Sequence, residues 1–394
     1  MSEKKKVLHI LSSLGMGGAE IWMLELSKFL KENPGYSSKL EIELLLTSGN
    51  KDVLDEQFSN LGIKLHYIKF SISTFFSFRK KFISLLKRQK FNVLHSHQDF
   101  VSGWLFLAGA GYLTSIRVSY IHNPFQTLNN YLSKPHRYVS YHLGRILMLL
   151  FSTRLSGTSK QVMADYGYYK FPYKYKNAGS VHCGFNPEKF FLDKKECRQN
   201  LCNEFGWNKE NTKIALFVGR LDLDDKHGKS LNQKNPEFAF KIAKELVTNY
   251  TNWRFIFVGK KGDYASEMET EINKLKLNDK IKLFGIRLDI PEIMNASTVL
   301  IFPSYWEALG MVAVEAQASR LKVIASDNIP DEAAVSSTLY QSISLKQPIT
   351  DWVDAIINPM NSAMNIDINM CRKEFENSGF SIKNSIFDLL KLYS

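Results

Sequence analysis

The chain is poor in cysteine and in acidic charge, and it has no long apolar run. Its four cysteines, Cys183, Cys197, Cys202 and Cys371, show no paired metal spacing and are too few for a disulfide scaffold. A reducing compartment is expected. No stretch reaches the length that spans a bilayer; the nearest, Leu143 to Phe151, is short and contains Arg145. The start, Met1-Ser2-Glu3-Lys4-Lys5-Lys6, runs straight into the strand-like Val7-Leu8-His9-Ile10-Leu11, without the apolar segment or cleavage site of a signal peptide. A cytoplasmic location is therefore expected.

The acid shortage leaves a net charge of +12, mostly lysine and spread along the chain. There is no aromatic-and-glycine RNA motif, zinc module or basic tail, so nucleic acid is not the expected partner. A phosphate-bearing substrate or an anionic membrane surface answers the charge better.

What the chain does have is apolar content and alternation. At 394 residues and 44% hydrophobic, two or three packed domains are expected. Strand and helix patterns alternate. Val7–Leu11 leads through a glycine turn to the amphipathic run from Ile21. Further strand-like runs lie at 42–46, 64–68, 92–97, 116–121, 154–158 and 180–183. A second series follows residue 211, at 214–218, 254–258, 281–284, 299–302 and 322–325. Such alternation predicts parallel sheets covered on both faces. The polar stretch from Gly184 to Asn211 reads as a turn-rich hinge. Two α/β domains facing a cleft are expected, with the ligand in the cleft.

Glu307-Ala308-Leu309-Gly310-Met311-Val312-Ala313-Val314-Glu315 carries the sharpest signal. Two carboxylates flank the passage from a buried strand, ended by Pro303, into a helix that starts near Gly310. Ala308, Leu309 and Gly310 offer no side-chain oxygen as a cap, so the first helical N–H groups are free for an anion. Eight residues of helix span roughly 12 Å. That suits a ligand with hydroxyls at both ends and phosphates between, as in a sugar nucleotide. A buried helix with two solvated glutamates is the plainer reading.

Other candidates lie at strand ends. Gly17-Gly18 follows the first strand, where backbone N–H groups can approach a ligand; a tight turn needing positive φ is the alternative. Arg220 follows the strand 214–218. Lys234 precedes a helix that Asn235 caps and Pro236 starts. Two cations so placed can hold a diphosphate leaving group. Three other motifs fail. In Gly15-Met16-Gly17-Gly18-Ala19-Glu20 the third glycine of a dinucleotide fingerprint is Glu20. Gly228-Lys229-Ser230 lacks the upstream P-loop glycine. Asp222-Leu223-Asp224-Asp225 sits among lysines as a solvated loop.

These residues together resemble the retaining GT-B glycosyltransferases of glycosyltransferase family 4 over almost the whole chain. The matching stretches are Leu14 to Glu20, Asn92 to His97, Ile121-His122-Asn123, Phe217-Val218-Gly219-Arg220, Gln233-Lys234-Asn235-Pro236, Pro303 to Glu315, Lys322 to Asp327 and Pro330-Asp331-Glu332. The resemblance implies two Rossmann-like doubly wound domains, an acceptor domain over 1–184 and a nucleotide-sugar donor domain over 185–377. It also implies a final helix, 378–394, packing back on the first domain. Glu307 would bind donor sugar hydroxyls, Glu315 the ribose, and the amides of Leu309, Gly310, Met311 and Val312 the diphosphate. Gly17 and Gly18 would crowd the reacting phosphate and sugar, and His122 would contact the sugar near the reaction centre. Backbone around Gly285, Ile286 and Arg287 would read the base. No cofactor and no metal is implied, since Arg220 and Lys234 supply the positive charge. The segment between those two is longer and more charged than is usual in the family, so Lys226 or Lys229 stands as an alternative phosphate ligand.

The expected activity is transfer of a sugar from a nucleotide-diphosphate donor, UDP-linked, to a glycan or lipid-linked acceptor in surface polysaccharide synthesis. A sugar-nucleotide epimerase of the same fold, or a non-catalytic subunit, is the alternative. The basic amphipathic run Phe75 to Arg88 has two readings. It lies on an anionic membrane at its inner face, or it packs apolar-inward as an ordinary domain helix.

Overall fold

Branched and aromatic residues at the alternating positions form two parallel sheets in the computed structural model, which describes residues 4–128, 132–222, 232–358 and 367–394. The chain divides into two compact units, Met1–Asn186 with Gly379–Ser394, and Pro187–Ser378.

The first unit carries β1 (Lys5–Leu11), β2 (Leu40–Leu46), β3 (Lys64–Tyr67), β4 (Val93–Ser96), β5 (Ile116–Ile121), β6 (Arg154–Gly157) and β7 (Asn177–Ser180). Their order is β3-β2-β1-β4-β5-β6-β7, every pairing parallel. The second unit carries β8 (Lys213–Val218), β9 (Trp253–Val258), β10 (Ile281–Leu283), β11 (Val299–Phe302), β12 (Lys322–Ser326) and β13 (Tyr340–Ile343), ordered β10-β9-β8-β11-β12-β13. In each sheet the order reverses once, between β1 and β4 and between β8 and β11. Ligands of open parallel sheets bind beyond the carboxyl ends of strands at such reversals.

Helices cover the faces and bury the core. In the second unit Phe217, Phe240, Phe257 and Trp352 lie in one apolar cluster. Each such side chain contributes about 1.5–3 kcal/mol on burial. In the first unit the helix Phe75–Gln89 sends Phe78, Phe82, Leu85 and Leu86 into the core. Its apolar face is therefore spent on packing; Lys80, Lys81, Lys87 and Arg88 are exposed, while Arg79 turns in to donate to Ala108 O at 2.7 Å. This is the packing that the domain-helix reading expects.

Two stretches differ from the sequence reading. Gly184–Asn211 is not simply turn-rich: it contains a helix, Lys194–Phe205. The Asp193 side chain caps it by accepting from the Lys195 and Glu196 amides, and Gly206 ends it at φ 68°. The cap signature was there, but the polar composition hid it. The last strand of the first sheet, read at 180–183, lies earlier, at Asn177–Ser180.

The helix Ile382–Leu392 belongs to the first unit. Phe185 N–H donates to Phe380 O and Ile382 N–H to Phe185 O, at 2.9 and 2.8 Å. Gly184 permits this approach, since a Cβ there would stand 2.5 Å from Ser385 Cβ.

Candidate functional site

The second unit assembles its candidates at the reversal between β8 and β11. Beyond β11 the chain reaches Ser304 and Glu307, then enters the helix Met311–Ala318. Gly310 is the N-cap at φ 88°, with no side-chain cap bond. A Cβ there would meet Ile329 Cγ2 at 3.1 Å and Phe302 Cε1 at 3.3 Å, so both the dihedral and the space call for glycine. Ala313 N–H already donates to Gly310 O. The amides ahead of it, at Gly310, Met311 and Val312, are those a helix start leaves for a ligand.

Lys234 and Glu307, 73 positions apart, meet here. Lys234 Nζ stands 2.6 Å from Glu307 Oε1. Ser304 Oγ donates to the same oxygen at 2.8 Å, and Gln233 Nε2 donates to Oε2 at 3.0 Å. The carboxylate is buried and held by three donors. Tyr305 N–H donates to Gln233 O at 2.8 Å, tying the two loops together. Lys234 passes over Gly219, which would carry a Cβ 3.1 Å from the lysine Cβ. Asn235 caps the helix Pro236–Asn249 as expected.

The remaining candidates of this unit flank the pair. Arg220 is exposed just past β8, and its backbone carbonyl accepts from Asn232 Nδ2. Gly285 follows β10, and its carbonyl accepts from Gly259 N–H at 3.2 Å. Ile286 is exposed. The Arg287 side chain is engaged by Asp289 and Glu204, which raise its pKa. Only its backbone remains for a base. Leu309 is buried and Glu315 half-buried. Lys226 and Lys229 lie outside the described residues.

The first unit places Gly17, Gly18 and His122 at its own reversal. The helix Gly18–Glu32 starts after Gly17, whose φ is −87°, without a side-chain cap. None of Gly15, Gly17 or Gly18 has positive φ, so turn strain does not account for these glycines. A Cβ on Gly18 would meet nothing within 4 Å; one on Gly17 would run into the Glu20 carboxylate. Burial raises the Glu20 pKa.

His122 closes β5 and ends a row of three imidazoles. His9 Nδ1 lies 2.8 Å from His97 Nε2, and His97 Nδ1 lies 2.8 Å from His122 Nε2. Cross-strand pairing of His9 with His95 builds this cluster. His95 Nδ1 contacts the Tyr393 hydroxyl at 2.6 Å. Burial drives His9 down to about 3 and holds His95 and His97 well below the usual range; His122 falls to about 3 for the same reason. The row is therefore neutral, and its protons must all point one way. Pointing toward His9 would leave a buried N–H at His9 Nε2, which has no partner. Orphaned buried donors are rarer than under-used acceptors. The protons thus run toward His122, whose Nε2 accepts and whose Nδ1–H is left to donate.

His9, His95 and His97 also offer ligand-type nitrogens within 4.8 Å of one another. Their mutual and Tyr393 contacts leave only His9 Nε2 and His95 Nε2 unpartnered. Two nitrogens fall short of a three- or four-ligand centre, so the trio reads as a hydrogen-bond network. Asp99, absent from the sequence reading, anchors the site edge. Its carboxylate accepts from His122 N–H at 2.8 Å and Asn123 Nδ2 at 2.7 Å. Burial pushes it up to about 6. Gln233, Ser304 and His9 were missed as well. An acidic residue just past a strand end, and a serine three before Glu307, were the available signals.

Comparison with known proteins places these features in company. Residues 203–363 match the family described as Glycosyl transferases group 1, and residues 16–188 match Glycosyltransferase Family 4. The capsular polysaccharide biosynthesis glycosyltransferase CapH of Staphylococcus aureus is 27% identical, covering 98% of this chain and 98% of its own. A UDP-Gal:alpha-D-GlcNAc-diphosphoundecaprenol alpha-1,3-galactosyltransferase of Escherichia coli is 28% identical over 47% of this chain and 46% of its own. The crystal structure of Anabaena HepE in complex with UDP aligns at TM-score 0.77 and 14% identity, over 98% of both chains. At that identity the likeness speaks for the fold alone.

Proposed function

The chain belongs to the group 1, family 4 glycosyltransferases with the GT-B fold, and from that premise we propose that it transfers a sugar from a UDP-linked donor, with retention at the anomeric carbon. The acceptor is a growing glycan or a lipid-linked oligosaccharide of surface polysaccharide synthesis, met on the cytoplasmic side. CapH and the undecaprenol-linked galactosyltransferase support that setting by their own described activities.

The observation that carries the reading is the Lys234–Glu307 pair beside the uncapped Gly310 helix start. A sugar diphosphate matches it group by group. Its phosphate oxygens would draw the Lys234 ammonium and the amides of Leu309 to Val312, with Arg220 as second cation. Its sugar hydroxyls would then take hydrogen bonds at Glu307, while Ser304 and Gln233 keep that carboxylate in place. Glu315, three helical positions past Val312, suits the ribose hydroxyls. The backbone at Gly285 to Arg287 suits the base.

The reaction breaks the bond between the anomeric carbon and the phosphate oxygen. The acceptor oxygen bonds to that carbon on the same face, and its proton passes to the departing phosphate. Lys234 and Arg220 stabilise the charge that grows on the diphosphate. His122, neutral and donating through Nδ1, holds the sugar without adding charge. Gly17 and Gly18 leave room for the phosphate and sugar.

Acceptor-dependent UDP release is the test. Lys234→Met and Glu307→Ala are each expected to lower kcat about 100- to 1,000-fold, the usual cost of one charge-stabilising group. Unchanged transfer in Glu307→Ala would defeat the assignment. An inverted anomeric product, read by NMR, would defeat retention. Stabilisation by GDP or ADP but not UDP would defeat the donor assignment.

A further inference from the structure

We propose that the outer face of the helix Pro135–Phe151, with the adjoining turn 169–175, is a docking surface for an anionic lipid bilayer. The helix is apolar on two opposite faces. Tyr141, Gly144 and Met148 face inward and are buried. There the helix crosses Val101–Ala108 backbone to backbone, because a Cβ on Gly103 would collide with Gly144 O. Val139, Leu143, Ile146 and Leu150 recur at intervals of four, three and four, and all are exposed, Leu150 by 64%. That spacing makes one continuous stripe opposite the buried face. An apolar stripe of this kind left in water marks a contact surface.

The charge around it selects the partner. Asp165 is the only carboxylate between Phe100 and Pro187, whereas Lys134 at the helix start and Lys170 and Lys174 in the turn are exposed. The turn 169–175 adds Phe171, 75% exposed, and Tyr175. It is fastened to the helix. Arg145 lies over the Tyr173 ring at 4.7 Å and donates to Tyr166 O at 2.6 Å, and Lys176 Nζ donates to Ser152 O at 2.6 Å. Exposed aliphatics, aromatics and lysines in one place are what a headgroup boundary accepts: the apolar groups enter it and the lysines meet the lipid charge. A second copy on this face would set lysines against lysines, with Asp165 alone of this segment to answer them.

No helix among the described residues is long and apolar enough to cross a membrane. At roughly 25 Å, Pro135–Phe151 would instead lie flat in the interface. The surface differs from the one its basic periodicity suggested, since Phe75–Gln89 has buried its apolar face.

The test is co-sedimentation of the full chain, without donor or acceptor, with vesicles of phosphatidylglycerol and phosphatidylcholine or of phosphatidylcholine alone. Binding is expected to the anionic vesicles only and to weaken with salt. The double variant Leu143→Glu, Ile146→Glu is expected to lose about 10-fold or more in vesicle affinity, with an unchanged melting temperature. Leu143→Trp, which retains the stripe, should shift its fluorescence to the blue on anionic vesicles. The proposal is overturned if the wild type does not bind, if the double variant binds as well, or if the tryptophan stays in water. It is equally overturned if light scattering shows a dimer that the double variant dissociates while vesicle binding is unchanged. Because sugar transfer plays no part in the measurement, failure of the activity assigned above would leave this result standing.

Discussion

At the residue scale, the chemistry of the first unit depends on groups whose charge is suppressed. His9 at about 3 in the fold and about 6.5 when unfolded binds fewer protons folded than unfolded across that window. Its contribution is therefore lost as pH falls below 6.5, and fully lost near 3. His95, His97 and His122 shift in the same direction. Asp99 has the opposite sign: raised to about 6, it binds more protons folded, and its contribution falls as pH rises from about 4 to 6. Four histidines outweigh one carboxylate, so the melting temperature should rise with pH between 4.5 and 6.5, values set by the ordinary His and Asp ranges at about 6.5 and 4. His9→Leu should flatten that slope while lowering stability at pH 7.5, because His97 loses its partner. A slope unchanged by the substitution would show that the row does not control acid sensitivity. Asp99→Asn should steepen this dependence, since it removes the opposing titration while its amide oxygen can still accept from His122 N–H.

At the element scale, a single left-handed residue sets the helix that ends at Ala318. Gly310→Ala would place a side chain at φ 88° and crowd Ile329 and Phe302. The dihedral alone costs about 1–2 kcal/mol. Thermal melting should show that loss, and UDP should stabilise the variant less than the parent. Normal UDP stabilisation at reduced melting temperature would mean that the helix start carries structure but not phosphate. This element was legible in the sequence: a strand ended by proline, no capping oxygen, then glycine. The strands β5, β8 and β11 were legible for the same reason, as apolar runs with turn signals at their ends. The pairing of Lys234 with Glu307 was not, because it depends on two loops brought together by the neighbouring strands β8 and β11. The imidazole row was hidden likewise, since His9 meets His97 only when β1 lies beside β4. Periodicity alone does not tell which helix keeps an exposed apolar face. Phe75–Gln89 has the clearer amphipathic pattern and is satisfied by its own core. Pro135–Phe151 contains the mostly apolar run Leu143 to Phe151, and only packing reveals that Val139, Leu143, Ile146 and Leu150 stay exposed.

At the scale of the whole molecule, the first unit is completed by a segment that follows the entire second unit in sequence. Tyr393 meets His95 Nδ1, Ser385 Oγ accepts from Trp22 Nε1 at 2.9 Å, and Arg154 donates to Leu392 O. The last helix thus seals the histidine cluster that carries His122. Tyr393→Phe would leave His95 Nδ1 buried without its partner, at a cost of about 1–3 kcal/mol. Gly184→Ala would press on Ser385 and Ile382, an overpacking of about 1–3 kcal/mol. Either change should lower the melting temperature of the first unit by about 2–4 °C per kcal/mol. The location of the loss discriminates more than its size. Hydrogen exchange should quicken in β1, β4 and β5 and stay unchanged in β8 to β13, because the substituted contacts all lie within the first unit. Uniform quickening across both sheets would mean that the last helix stabilises the chain as one cooperative body. In that case the acid sensitivity argued from His9 should also reach the strands around Glu307, and the two measurements would move together.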